Sequence, residues 1–285
     1  MIDLIVNVLL FANVIDSSNK VSINSYFDSK YEVLLEDSII PLSLSDLQKS
    51  RVAHGGGRIN GKDDYTNCYD AVKSSYEKGV RMIELDVGFT ADDVPVMIHS
   101  WDGFFPKYFD TKARNISFND ANGVILYSDF ENTRMKNNWT QLSLEKTIEV
   151  MDCEFTQMYL ITDTKEDNKK LLKLIDEKYN YMKPRIIPQV YNQDEYMYAK
   201  SLNYDKIIYT LYLTHDTPDE VVAFCKREKP YAITMSTEWA KNDKFVKQLD
   251  DLGVYTYVHT INDRKQYEEL KKKGIDGIYT DALFD

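Results

Sequence analysis

Residues 81–86 read Arg-Met-Ile-Glu-Leu-Asp, an apolar run that carries two carboxylates toward its carboxyl end. In a β-strand, side chains at positions i and i+2 point to the same side, so Glu84 and Asp86 would face the same space. Ile83 and Leu85 alternate with them, as the core residues of such a strand should. Because two carboxylates this close repel each other unless a cation lies between them, the segment predicts a buried strand that ends at a metal site.

Three other short apolar runs also deliver polar side chains at their carboxyl ends. They are Arg51–His54, Val94–His99 and Met158–Lys165, and the last of them ends with both Asp163 and Lys165. In a parallel α/β barrel the carboxyl ends of the strands meet at one rim. Two imidazoles, three carboxylates and one ammonium group are therefore predicted to converge on a single site.

Extended and helical segments alternate along residues 51–285, which predicts a TIM-type (β/α)8 barrel. There are nine extended segments, one more than a barrel needs. Only six residues separate segments 81–87 and 94–99, which is too short for a crossover helix, so these two are predicted to form an antiparallel hairpin. Residues 101–141 lack a sustained helical period and are predicted to form a cap-like insertion. The other extended segments are predicted at 51–54, 158–162, 185–190, 206–211, 231–235, 254–261 and 277–280.

Residues 1–50 show no clear period and are predicted to form an N-terminal extension packed on the barrel domain of residues 51–285. Within the extension, Leu4–Ile15 is almost entirely apolar. The segment lacks the basic residues of a signal peptide and is shorter than the roughly 20 residues that a bilayer span needs. A short packed helix is therefore favoured, and membrane association through this segment is the alternative.

The composition restricts the kinds of partner and compartment. A net charge of −11 without a basic stripe argues against a nucleic-acid partner. The three cysteines are far apart and form no Cys-x-x-Cys motif, which favours reduced thiols and a cytoplasmic location. A membrane-associated or cell-envelope location is the alternative.

The two histidines at strand ends, His54 and His99, suit acid–base chemistry at neutral pH. Cleavage of a phosphodiester needs one group that takes a proton from the attacking oxygen and another that protonates the departing oxygen. The residues alone do not say which histidine has which role.

The three carboxylates Glu84, Asp86 and Asp163 offer hard oxygen ligands, which predicts one divalent cation, Mg²⁺ or Ca²⁺. Lys165 lies two residues after Asp163 and is predicted to bind a phosphate oxygen.

Other candidates for substrate contact lie at or just after later strand ends. For Gln189, Tyr191 and Trp239, ordinary packing is an equal alternative, whereas His259 is favoured to face the site. The aromatic residues Trp101, Phe104 and Phe105 fit either a grip on a lipid or sugar tail or a plain hydrophobic cap.

Taken in order, these motifs resemble those of the glycerophosphodiester phosphodiesterase family, over about residues 51–285. The motifs are Ala53-His-Gly-Gly56, Tyr65-Thr-Asn67, Ile83-Glu-Leu-Asp86, Val94-Pro-Val-Met-Ile-His99, Val258-His-Thr-Ile-Asn-Asp263 and Gly274-Ile-Asp-Gly-Ile-Tyr-Thr-Asp281. The resemblance implies a phosphodiesterase barrel of the wider group that includes phosphatidylinositol-specific phospholipase C. It implies an acid/base pair, three metal ligands and a phosphate ligand, namely His54 and His99, then Glu84, Asp86 and Asp163, and finally Lys165.

The chain departs from the family pattern around this shared core. Gly55 replaces an arginine, for which Arg58 is the candidate substitute, and Tyr65-Thr-Asn67 replaces Pro-Glu-Asn, which makes Asn67 a further candidate for substrate contact. Asp163 replaces a glutamate, and the resulting Asp-x-Lys form is similar to sphingomyelinase-D-type phospholipases. His259 replaces a tryptophan, so the identity of the alcohol is open.

The sequence therefore predicts a metal-dependent phosphodiesterase that acts on a glycerophosphodiester-like or phospholipid-like substrate. One alternative is a lyase that releases a cyclic phosphate. A second is a barrel that binds a phosphorylated lipid or glycan without turnover, although such a protein would not need two imidazoles.

Overall fold

The computed structural model of the chain describes residues 51–111 and 123–284. Within these ranges eight parallel strands close into a barrel, and a ninth strand forms an antiparallel hairpin on the outside. The strands are β1 (Val52–Ala53), β2 (Met82–Phe89), β3 (Pro95–Met97), β4 (Tyr159–Asp163), β5 (Ile186–Val190), β6 (Ile208–Thr210), β7 (Ala232–Ser236), β8 (Tyr255–His259) and β9 (Gly277–Thr280).

The strand order is β1-β9-β8-β7-β6-β5-β4-β2-β3, and pairing of β1 with β2 closes the ring. The strand β3 pairs only with β2, where Val87 lies opposite Met97. The predicted TIM-type barrel and the predicted hairpin are both confirmed.

Helices follow the strands and cover the outside of the barrel. They are α1 (Tyr69–Glu77), α2 (Phe104–Tyr108), α3 (Tyr127–Asn132), α4 (Leu144–Cys153), α5 (Asn168–Lys178), α6 (Gln193–Ser201), α7 (Pro218–Glu228), α8 (Asp243–Asp251) and α9 (Arg264–Lys272). Several begin at a side chain that accepts a backbone hydrogen bond, as Thr217 does from the amide of Glu220 at the start of α7. The helix α4 begins in the same way, because the side chain of Ser143 accepts a hydrogen bond from the amide of Lys146.

The alternation of side chains along β2 separates the two layers of the core and positions the site. Met82 belongs to a cluster of barrel-interior residues, whereas Ile83 and Leu85 belong to the layer that packs against the helices. Because alternate residues share a face, Glu84 and Asp86 continue the Met82 face toward the carboxyl-end rim. The bottom of the barrel is thus apolar and its upper end is charged.

The described parts of the insertion, residues 101–111 and 123–141, contribute most of a separate aromatic core. Trp101, Phe104 and Phe105 are each at most 6% exposed within it. Of the two alternatives for these residues, a hydrophobic cap is therefore correct, and a grip on a substrate tail is not.

The predicted extension of residues 1–50 lies outside the described residues, as do residues 112–122. None of the helices described here is both long and apolar enough to span a bilayer.

Candidate active site

A cavity of about 300 Å³ opens at the carboxyl-end rim of the barrel. Strands from all around the ring contribute to its wall, so residues far apart in sequence face one another across it. Its lining comprises His54, Tyr65, Glu84, His99, Asp163, Lys165, Gln189, Tyr191, Thr210, Tyr212, His259, Thr260 and Tyr279.

Three carboxylates form a compact buried cluster on the β2 and β4 side of this cavity. One oxygen from each of Glu84, Asp86 and Asp163 lies within 4.8 Å of the others. Asp86 and Asp163 are direct neighbours in the register of the two strands, and Glu84 lies one step below on the same face. Such a set of hard oxygen donors suits a divalent cation of the Mg²⁺ or Ca²⁺ type.

The surroundings of Glu84 also fit a cation. Its Oε2 accepts a hydrogen bond from the amide of Gly55 at 2.7 Å, but its buried Oε1 has no partner among the described residues. Burial, together with repulsion from Asp86 and Asp163, raises the pKa of Glu84 well above its ordinary value. Burial and the charge of Asp86 likewise raise the pKa of Asp163. A bound cation would offset both the burial of these carboxylates and the repulsion between them.

Lys165 supplies a positive charge beside the cluster. Its Nζ lies 3.4 Å from Oδ1 of Asp86 and 3.5 Å from Oδ2 of Asp163. Burial lowers the pKa of Lys165, but the carboxylates outweigh it and raise the pKa above its ordinary value. The ammonium group therefore stays charged and lines the cavity where a phosphate would meet it.

Two neighbours hold the carboxylates in place. The side chain of Asn67 donates to Oδ2 of Asp86 at 2.9 Å and accepts from the amide of Asp86 at 3.0 Å. The hydroxyl of Tyr191 donates to Oδ1 of Asp163. Asn67, predicted as a substrate contact, is not part of the cavity lining and instead orients a carboxylate. Tyr191 lines the cavity and also orients a carboxylate.

His54 is held by a carboxylate whose role the sequence did not reveal. Nδ1 of His54 lies 2.9 Å from Oδ1 of Asp281, which follows β9. The other oxygen of Asp281 accepts a hydrogen bond from Asn262 at 2.5 Å. Burial would raise the pKa of Asp281, but the hydrogen bonds from His54 and Asn262, together with the nearby charge of Arg58, lower it below its ordinary value. Asp281 is thus an ionised acceptor that fixes the orientation of the imidazole.

Tyr65 contacts both histidines and was not among the predicted site residues. Its ring stacks on His54 with centroids 4.3 Å apart and meets His99 edge-on at 5.4 Å. Gly55 makes room for this ring, because a Cβ atom there would lie 2.3 Å from Cδ2 of Tyr65. Gly55 also has φ +54°, which disfavours any larger residue. The glycine run was the available signal, but nothing in it pointed to Tyr65.

The remaining predicted residues divide between the cavity and its exterior. His99 is exposed and lines the cavity, as do Gln189 and His259. Arg58 is not part of the lining, and its guanidinium pairs with Asp64 at 2.5 and 2.8 Å. Trp239 is not part of it either, and its ring packs on Phe245 with centroids 5.3 Å apart.

One protein-family model matches most of the chain. The model of the glycerophosphoryl diester phosphodiesterase family matches residues 60–283. No curated protein matches the chain.

Solved structures resemble the fold at low identity. A glycerophosphodiester phosphodiesterase from Parabacteroides distasonis is 21% identical, with a TM-score of 0.61 over 82% of this chain and 93% of its own. One from Agrobacterium tumefaciens is 17% identical, with a TM-score of 0.61 over 82% of this chain and 95% of its own. A phosphodiesterase from Oleispira antarctica, in complex with the product sn-glycerol-3-phosphate, is 17% identical, with a TM-score of 0.62 over 82% and 94%.

Proposed function

The chain belongs to the glycerophosphoryl diester phosphodiesterase family of phosphoric diester hydrolases, and from this premise we propose that it hydrolyses a glycerophosphodiester-like or phospholipid-like substrate with one divalent cation and the pair His54 and His99. The observation that carries the proposal is the convergence of both histidines, Lys165 and two of the three clustered carboxylates on the lining of one cavity.

The three carboxylates would hold the cation, for which Mg²⁺ and Ca²⁺ are the candidates. Bound there, it would neutralise charge on the phosphate and make an attacking water more acidic. Lys165 would add a second positive charge, which stabilises the negative charge that develops on the phosphoryl oxygens.

The contact with Asp281 supports different roles for the two histidines. Because Asp281 accepts the proton on Nδ1 of His54, Nε2 is left with a free lone pair, which is the form that a general base needs. We assign to His54 the removal of the proton from the attacking water. The water oxygen forms a bond to phosphorus, and the bond from phosphorus to the alcohol oxygen breaks.

His99 would then protonate the departing alcohol oxygen. It contacts the ring of Tyr65, as His54 does, and it is exposed and lines the cavity, so an alcohol arm can reach it. Tyr65 would hold the two imidazoles in fixed positions, from which they would act on opposite sides of the phosphorus atom. Gln189, Tyr191 and His259 would contribute to substrate binding.

The decisive experiment is an assay of the purified protein with glycerophosphodiesters in Mg²⁺ or Ca²⁺, with products followed by phosphorus NMR. We expect a phosphomonoester, loss of turnover on chelation, and recovery when the cation is restored. A five-membered cyclic phosphate as the final product would instead support the lyase. Saturable binding of a diester panel without any turnover would support the barrel that only binds.

The partner is proposed to be a small-molecule or lipid phosphodiester. The absence of a nucleic-acid partner and the cytoplasmic location stay predictions from composition.

A further inference from the structure

The side chain of Tyr279 links β9 to β5 across the interior of the barrel. Its hydroxyl donates a hydrogen bond to Oε1 of Gln189 at 2.9 Å, although 90 positions separate the two residues. In the closed ring, β8, β7 and β6 lie between these strands on one side, and β1, β2 and β4 lie between them on the other. Tyr279 is 3% exposed and lines the cavity, so this link lies directly under the site.

The alternation of side chains along β9 turns Tyr279 inward. Ile278 packs in the layer between the strands and the helices, whereas Tyr279 belongs to the same barrel-interior cluster as Met82. Burial and the charge of Glu84 raise the pKa of Tyr279 well above its ordinary value, so the phenol keeps its proton at pH 7. The hydroxyl is therefore a hydrogen-bond donor held inside the barrel.

The hydrogen bond from Tyr279 decides which end of the Gln189 carboxamide is left for a ligand. Because Oε1 accepts from the phenol, the amino group at Nε2 is the end that remains. None of the residues in 51–111 and 123–284 accepts a hydrogen bond from this atom. Gln189 lines the cavity, and its Nε2 is not fully buried, unlike Oε1 of Glu84. A ligand in the cavity can therefore reach the free donor.

The register of the strands places Gln189 beside the cation cluster. Pro188 lies opposite Thr162 in the pairing of β5 with β4, so Gln189, one residue further on, lies level with Asp163. Both side chains face the cavity, and so does Lys165 two residues after Asp163. A phosphate that meets Lys165 and the proposed cation would thus have the Gln189 carboxamide next to it.

The orientation of the carboxamide suits these neighbours. The opposite orientation would turn the partial negative charge of Oε1 toward the carboxylate of Asp163 and toward an incoming phosphate oxygen, both of which would repel it. The observed orientation instead presents a donor to the cavity.

We propose that Tyr279 is a positioning residue, which holds the carboxamide of Gln189 so that Nε2 donates a hydrogen bond to a non-bridging oxygen of the phosphoryl group. The inference rests on the proposed function, since it concerns the phosphoryl group of the same substrate. A glutamine without this contact would lose its side-chain freedom each time a substrate binds, whereas the phenol has already restricted it. Tyr279 therefore acts through Gln189.

The test measures the binding of inorganic phosphate to the protein in excess Mg²⁺ by isothermal titration calorimetry. Inorganic phosphate has no alcohol arm, so its affinity reports contacts with phosphoryl oxygens alone. Gln189→Leu removes the donor and should raise Kd about tenfold or more, as loss of a hydrogen bond to a charged group predicts. Tyr279→Phe removes only the hydroxyl and should raise Kd by roughly three- to tenfold.

The double variant tests whether Tyr279 acts through Gln189. When Gln189 is already replaced by leucine, Tyr279→Phe should change Kd less than about twofold, because the group that the phenol positions is gone. The values of kcat/KM for a glycerophosphodiester should follow the same non-additive pattern. A purely structural hydroxyl would instead cost the same in both backgrounds.

Tyr231→Phe is the matched control. Tyr231 belongs to the same barrel-interior cluster as Tyr279, and its buried hydroxyl has no partner among the residues that the structure describes. The substitution removes an interior hydroxyl without touching Gln189, so it should leave the phosphate affinity unaffected.

Three results would overturn the proposal: an unchanged Kd in Gln189→Leu, an equal effect of Tyr279→Phe in the parent and in Gln189→Leu, or an equal loss in Tyr231→Phe and Tyr279→Phe. A parent protein that binds no phosphate in Mg²⁺ would overturn it as well. If the parent bound phosphate as expected but turned over no diester, the proposed function would fail while the contact with the phosphoryl group stood. The two failures are therefore distinguishable.

Discussion

The Nδ1 atom of His54 lies 2.9 Å from Oδ1 of Asp281, although 227 positions separate the two residues in the chain. The contact exists because β1 and β9 are neighbours where the barrel closes, with Ala53 opposite Thr280. The amide of Arg58 also donates to the carbonyl oxygen of Asp281 at 2.7 Å, which fixes the loop after β1 against the end of β9. Closure of the barrel thus brings an ionised carboxylate to the imidazole that we assign as the base.

Replacement of this carboxylate tests the assignment. Asp281→Asn should lower kcat on the order of 10²–10⁴-fold, because the amide can favour the wrong tautomer of His54 and cannot stabilise its protonated form. KM should change little, since Asp281 is not part of the cavity lining. Steady-state kinetics with a glycerophosphodiester would measure both parameters. Asn262→Ala removes the other hydrogen bond to Asp281 and should cost much less; an equal loss of kcat in the two variants would argue that Asp281 has only a structural role.

The roles of the two histidines predict opposite responses to the quality of the leaving group. His99→Ala should lose at least about a hundredfold in kcat on a glycerophosphodiester, because an alkoxide must leave without a proton. On bis(4-nitrophenyl) phosphate, whose leaving group needs no proton, most of that loss should disappear. His54→Ala should remain impaired on both substrates. The reverse pattern, with His54→Ala rescued and His99→Ala not, would exchange the two assignments.

The barrel and the charged residues of the site could be predicted from short-range patterns in the sequence. In β2 the alternation of Ile83 and Leu85 with Glu84 and Asp86 fixes which residues face inward, because the side-chain period of a strand is two. The six residues between segments 81–87 and 94–99 were enough to predict the hairpin, since no crossover helix fits that length.

Contacts across loops did not follow from pattern in the same way. The stacking of Tyr65 on His54 depends on the backbone of Gly55 at φ +54° and of Tyr65 itself at φ +58°, which no periodicity encodes. The sequence predicted that Asn67 lies near the site, but it did not predict the two hydrogen bonds between Asn67 and Asp86.

Trp239 lies in a short 3-10 turn after β7 that points its ring at the helix layer. Strand ends show which residues reach the rim, whereas the path of each loop decides which side chains turn into the cavity.

The proposed cation site leads to a prediction about how the stability of the chelated protein changes with pH. The folded pKa of Glu84 is raised, so without a cation the folded state binds this proton more tightly than the unfolded state does. The free energy of unfolding of the chelated protein should therefore fall as the pH rises above the ordinary carboxyl range of about 4.3. Glu84→Gln should relieve this effect and leave the chelated protein at pH 7 as stable as the parent or more stable, by on the order of 1 kcal/mol.

The same substitution should abolish the response to metal. Addition of Mg²⁺ or Ca²⁺ should raise the Tm of the parent, because the cation binds only the folded site. The Tm of Glu84→Gln should be nearly unchanged by the cation. Glu268→Gln changes a half-exposed surface carboxylate and is the control, for which the parent's metal response should persist. A parent Tm that does not respond to either cation at pH 7 would speak against the carboxylate cluster as the metal site.

His259 makes the opposite contribution to stability as the pH changes. Its folded pKa of about 4 lies below the unfolded value of 6.5, so the unfolded chain binds more protons between these values. The free energy of unfolding that depends on this residue should thus rise with pH across that window and be lost as the pH falls from 7 toward 4. Denaturant unfolding of the chelated protein should show that His259→Phe loses less stability than the parent between pH 7 and pH 5, by on the order of 1–2 kcal/mol. His215→Phe should lose as much as the parent, because His215 is exposed. An identical loss in the parent and in His259→Phe would mean that His259 is not held neutral by its surroundings.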